Sequence, residues 1–149
     1  MSKKYLNTDN KNLYKKIVNF FIKDGNRVKA SKSVGLAFSK VSKKTGLSFN
    51  QILSKLFVKL NSFVEIKKIR VRRGFHMVPF PISHKRSMYL ITKWLVQAIK
   101  EDTRKLSMSE KLATEIYNTV VTQSSKSLDI KNSNISQVMA NRANIHFRW

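Results

Sequence analysis

Seven consecutive residues, Lys67-Lys68-Ile69-Arg70-Val71-Arg72-Arg73, carry five positive side chains. A guanidinium forks onto two phosphate oxygens and an ammonium meets one as a point charge, so this stretch offers polyanion binding. Gly74 follows, and its missing Cβ permits close backbone approach to a ligand. The same run also suits a blander role, a solvated charge cluster guarding a strand edge. Further cations stand at Lys15/Lys16, Lys23, Arg27/Lys29, Lys32, Lys85/Arg86 and Lys93, near element ends rather than on apolar faces. Phe75, Tyr89, Phe147 and Trp149 lie beside cations, a pairing that serves stacking on unpaired bases. Phe20, Phe38, Phe57 and Trp94 fall in or beside apolar stripes and read as packing residues.

Catalysis finds little to work with. The three histidines are scattered, the eight carboxylates form no recurring pair, and cysteine is absent, which removes thiolate chemistry and disulfides together. Neither HExxH nor GxSxG occurs, and four glycines at 25, 35, 46 and 74 cannot build a phosphate loop. No enzyme activity, metal, cofactor or small-molecule substrate is expected.

Over 149 residues, 30 Lys and Arg oppose 8 Asp and Glu, a net charge of +22. At 42% hydrophobic residues the chain is too apolar for a disordered basic tail, and its length fits one domain. A folded domain this basic repels itself, and nucleic acid is the usual polyanion that relieves it. The charge is uneven: residues 1–50 and 51–100 each carry +10, and residues 101–149 only +2. No apolar run approaches the ~18 residues of a membrane span. A secretory signal is not expected from Ile17 to Ile22, which Asn19 interrupts, and a mitochondrial presequence fits poorly with Asp9 early and no Arg before Arg27.

The elements that must position the cations are mostly helical. Leu13, Ile17 and Phe20/Phe21 begin one helix, closed at Asp24-Gly25; Ala30, Val34, Ala37/Phe38 and Val41 mark a second, closed at Thr45-Gly46. Ser48 and Gln51 form a capping box ahead of Ile52, Leu53, Leu56, Phe57 and Leu60. Between Phe63 and Ile82 the period changes to two, with Val64 and Ile66 before the cationic run and Val78, Phe80 and Ile82 after it, which predicts a hairpin. Pro79 and Pro81 make its second strand an edge. Helical spacing resumes at Met88, Ile91, Leu95 and Ala98/Ile99, then behind a second capping box, Ser107 with Glu110, through Leu112, Ile116 and Val120. Ser124 to Ser133 reads as a polar loop, followed by a last helix with Ile135, Val138/Met139 and Arg142.

In this order and spacing the chain resembles the family of the seventh protein of the small ribosomal subunit. The likeness rests on Asp24-Gly25, Lys43-Lys44-Thr45-Gly46, Val64-Glu65-Ile66-Lys67 leading through Arg70-Val71 to Val78-Pro79, Trp94-Leu95-Val96-Gln97-Ala98, Leu112-Ala113 with Glu115-Ile116, and Ala140-Asn141-Arg142-Ala143 before His146-Phe147-Arg148-Trp149. It runs from about Leu13 to the last residue. The resemblance implies a mainly α fold, six helices with a protruding two-stranded antiparallel hairpin, in a non-enzymatic protein. Such a protein binds the three-prime major domain of small-subunit ribosomal RNA, nucleates head assembly and lines the exit-site tRNA and messenger path, beside other head and platform proteins. Arg70, Arg72 and Arg73 then sit at or near the hairpin tip, and the family's body contacts map onto Lys23, Arg27, Arg86 and Lys93.

The full expected RNA-binding set is Lys23, Arg27, Lys29, Lys67, Lys68, Arg70, Arg72, Arg73, Lys85, Arg86, Lys93, Arg142, Arg148 and Trp149. Residues 1–12 read as a short basic extension and 13–149 as one RNA-binding domain, with the hairpin at about 63–82. Three departures from the family stand out. Arg72-Arg73 replaces the common Gly-Gly tip, Ser83-His84-Lys85-Arg86-Ser87 replaces Arg-Pro-Glu-Arg-Arg, and Asp129 to Ser133 holds only Lys131. With the shortened N-terminal arm, these suggest an organellar ribosome, mitochondrial before plastid or bacterial. The rival readings are a DNA-binding architectural or regulatory protein and a cationic membrane-surface protein, the latter disfavoured because the cations spread over loops and hairpin.

Overall fold

The computed structural model describes residues 3–148, with side chains described from residue 9 onward; Trp149 of the expected RNA-binding set lies outside it. Six α-helices and one hairpin follow in order: α1 Lys3–Phe20, α2 Arg27–Thr45, α3 Phe49–Leu60, β1 Val64–Val71, β2 Gly74–Pro81, α4 His84–Lys100, α5 Met108–Tyr117 and α6 Lys126–Ala140. A π-helical turn, Asn118–Thr122, prolongs α5, and a 3-10 helix, Arg142–Phe147, follows α6. The mainly α architecture with a projecting antiparallel hairpin is borne out.

The stops and starts have local causes. The turn after α1 uses two positive φ angles, +50° at Asp24 and +71° at Gly25, and α2 closes on Gly46 at φ +67°, whose N–H donates to the Ser42 carbonyl. Both capping boxes are present: Ser48 Oγ accepts from Gln51 N while the Gln51 side chain accepts from Ser48 N, and Ser107 and Glu110 do the same for α5.

Apolar stripes from α1 to α5 meet in one core. Leu13, Ile17, Val34, Phe38 and Val41 pack with Ile52, Leu53, Leu56 and Leu60, and with Ile91, Leu95, Leu112 and Ile116. Among the aromatics expected to pack, Phe38 and Trp94 are buried and Phe57 half-buried, whereas Phe20 keeps 36% of its surface exposed.

Two elements differ from the sequence reading. Helix α1 begins at Lys3, ten residues ahead of Leu13, because its first turns are polar and carry no stripe to announce them. Asn10 in that stretch is buried and donates to Ser54 Oγ on α3 at 3.0 Å. The segment Ser124 to Ser133, expected as a loop, is instead helical from Lys126 on, the start of α6. Ser125 Oγ caps it by accepting from Leu128 N, and Asp129 in its first turn suits the positive helix end. Thr119, Ser125 and Ser127 hydroxyls bond one another in a buried cluster, so polarity there marks a satisfied helix start rather than a loop. Arg142 falls in the 3-10 helix, not in α6.

Among the described residues no helix is long and apolar enough to cross a membrane, and no group of three or more His, Cys, Asp or Glu could hold a metal.

Candidate nucleic-acid interface

Strands β1 and β2 pair in register from Val64 opposite Pro81 to Val71 opposite Gly74, which leaves Arg72 and Arg73 as a two-residue turn. Such turns favour positive φ at their first central residue. Arg72 supplies it at φ +52°, a conformation that costs a non-glycine residue about 1–2 kcal/mol. The turn is therefore tight without glycine, and both tip residues are exposed.

Alternation along the strands sorts the remaining side chains. Lys68 and Arg70 share one face with Phe75 and Met77, and Lys67 shares the other with Phe80. The Lys68 ammonium lies 4.5 Å from the centre of the exposed Phe75 ring, and that of Lys67 lies 5.2 Å from Phe80. Among the described residues none of Lys67, Lys68, Arg70, Arg72 or Arg73 forms an ion pair; Lys40, Arg86 and Arg104 are the only lysines and arginines that do.

The prolines stand where their missing N–H costs nothing. Ile82 N donates to Phe63 O at 3.0 Å, so the even-numbered residues of this strand face β1 and residues 77, 79 and 81 face outward. That outer edge is strapped by the chain's end: Asn144 Nδ2 donates to the Met77 carbonyl at 3.0 Å and Arg148 Nε to the Pro79 carbonyl at 2.6 Å. Phe147 stacks on His76 with ring centres 4.6 Å apart. Arg148 thus holds the hairpin's edge, while Arg142 is exposed at the start of the strap.

Among the described residues one ion pair ties the hairpin to the body. Arg86 Nε donates to Glu65 Oε2 at 2.8 Å, its Nη2 reaches the other oxygen, and the guanidinium lies 4.7 Å from the Tyr89 ring centre. Only 12% of the Glu65 side chain is exposed, and the Arg86 hydrogen bond holds its carboxyl below the ordinary value. A carboxylate depressed by folding contributes stability that is present above its unfolded pKa and lost as pH falls through the folded one. Thermal stability should therefore drop on acidification below about pH 4.3. Glu65→Gln should remove that part of the pH dependence and lower the neutral-pH midpoint; identical melting curves from pH 3 to 7 for both proteins would contradict it.

Around that tie the first turn of α4 is His84, Lys85 and Arg86, with no acidic residue and no side-chain bond from the cap residue Ser83. Cations at a helix N-terminus oppose its dipole, and an arriving phosphate satisfies both. Lys85 is exposed, and its carbonyl accepts from Lys16 Nζ at 2.7 Å; burial, then Lys85, lowers the Lys16 pKa. Lys93 is exposed two turns along α4. Lys23 lies in the turn after α1, Arg27 opens α2 and Lys29 follows, all exposed, with Asn26 Oδ1 accepting from Lys29 N. Phe20 joins this body set to the hairpin's root, its ring centre 5.3 Å from that of Tyr89.

The sequence reading missed Glu65 as the partner of Arg86, and Asn144 as the edge donor. Lys131, in the segment expected as a loop, lies in α6. Lys131 Nζ donates to the Lys59 carbonyl at 2.6 Å and Lys59 Nζ to the Val120 carbonyl at 2.9 Å, so these cations join α6, α3 and the π-helical turn. Burial lowers the Lys131 pKa accordingly.

The sequence pattern of the family described as ribosomal protein S7p/S5e matches residues 2–142. The chain is 29% identical over 140 residues to small ribosomal subunit protein uS7m of Reclinomonas americana, covering 94% of this chain and 87% of that protein. It is 30% identical over 142 residues to small ribosomal subunit protein uS7 of Pelagibacter ubique, covering 94% and 88%. Against uS7m of Drosophila melanogaster it is 40% identical over 81 residues, 53% of this chain and 37% of that protein. The match takes in all six helices and the hairpin with its arginine tip, and the chain belongs to the ribosomal protein S7p/S5e family.

Proposed function

We propose that this protein is a structural component of the small ribosomal subunit. Its body binds the three-prime major domain of the subunit's RNA and helps the head assemble, and its hairpin extends along the exit-site tRNA and messenger path. The observation that carries this reading is the hairpin, where five exposed cations have no ionic partner among the described residues, backed by a cationic α4 start and α1–α2 turn. Phosphate contact supplies most of the affinity, and RNA shape outweighs base sequence. The near-neutral last third packs beside neighbouring head and platform proteins. Relatives named uS7m support a mitochondrial setting, and bacterial uS7 relatives match over the same span.

Filter binding of a three-prime major-domain transcript tests it. With about six to ten phosphate contacts, affinity should fall roughly 10³- to 10⁵-fold between 50 and 200 mM salt. Duplex DNA should compete poorly; equal competition would favour an architectural DNA-binding role. Sedimentation with mitochondrial small subunits through a high-salt wash tests the setting.

A further inference from the structure

Arg86, Tyr89 and Lys93 belong to a face of α4 that continues at the same three- and four-residue spacing through Val96 to Lys100. It ends at a cleft of about 440 Å³ between the end of α1, the start of α2, the end of α4 and the start of α5. Phe20, Phe21, Val96, Ile99 and Met108 give it apolar walls, and Lys23, Lys29 and Lys100 stand around it. None of these lysines forms an ion pair among the described residues. Asp24 is the one carboxylate in the lining.

We propose that this cleft receives a single unstacked base of the bound RNA, its ring against the aromatic and aliphatic walls and its flanking phosphates on the three lysines. The inference rests on the RNA-binding reading and adds a defined base site to it. The volume falls within the range of about 300–1,000 Å³ typical of small-ligand sites. An apolar protein side chain would fill the walls but gain nothing from the three exposed lysines around them, whereas a nucleotide engages walls and charge together. The cleft is also continuous with the Arg86–Tyr89–Phe20 stack, so a strand tracking from the hairpin's root along α4 arrives at its mouth.

Ser33→Phe fills the cleft without removing a charge. With the three-prime major-domain transcript, this variant should bind about tenfold more weakly, the loss of one base stack, with an unchanged salt slope. One base protected from chemical modification in the wild-type complex should become reactive. Lys29→Ala with Lys100→Ala should instead flatten the slope. Full affinity for Ser33→Phe with an identical modification pattern would overturn the proposal, as would full RNA affinity joined to failure to enter small subunits, which would assign the cleft to a protein neighbour. Wild-type protein that binds no transcript would instead sink the RNA reading itself. Circular dichroism checks folding, and if Ser33→Phe does not fold, Met108→Gln provides the same readout from a partly exposed wall, with retained affinity and protection again overturning the site.

Discussion

Replacing Arg70, Arg72 and Arg73 with alanine should weaken binding to the ribosomal RNA fragment about a hundredfold at 0.15 M salt while leaving helix content and melting midpoint unchanged. Each lost phosphate contact removes about 0.7–0.9 from the slope of log affinity against log salt, so three remove about 2–3. Relative to 1 M salt, where the counterion contribution vanishes, that is about 50- to 170-fold at 0.15 M. The fold is spared because the three side chains are exposed and make no ion pair among the described residues. In reconstituted subunits the same variant should retain exit-site tRNA less well. An unchanged slope, or unchanged tRNA occupancy, would count against the hairpin as the contact element.

Phe38→Ala should be the most damaging single change to the body. Phe38 is 2% exposed, and its ring meets Tyr14 edge-on at 6.1 Å and Phe49 at 5.1 Å, so it knots α1, α2 and the start of α3. Emptying such a site costs about 3–5 kcal/mol against a total of about 5–15 for a domain. A chain at +22 has its own repulsion to overcome, so the variant should be largely unfolded in dilute buffer and partly restored by added salt or by the RNA fragment. Urea denaturation with and without the transcript measures both effects, and a wild-type midpoint would remove Phe38 from the core.

Much of this architecture is written in local spacing. The change from helical to strand period at Phe63, the two capping boxes and the Gly46 stop are short-range signals, and each marks a boundary in the structure. What escaped the sequence is long-range. Nothing near Glu65 says that its partner is Arg86, 21 residues on, and nothing near Asn144 says that it bonds the carbonyl of Met77, 67 residues back. Helix α6 was hidden because serines that cap and bury themselves read, residue by residue, like serines of a loop. The α4 stripe from Arg86 to Lys100 was legible in principle as the complement of the buried face Met88, Ile91, Leu95 and Ile99. Its meaning depended on what α1 and α2 place at its end.

The hairpin's dimensions carry one more implication. Two eight-residue strands closed by a two-residue turn extend about 26 Å at ~3.3 Å per residue. Lengthening both strands by one residue at the root would rotate Lys68, Arg70 and Phe75 to the opposite side. The finger's reach is therefore quantised: an insertion or deletion that keeps the cationic face in place comes as two residues per strand, in increments of about 7 Å, and intermediate lengths turn that face to the opposite side.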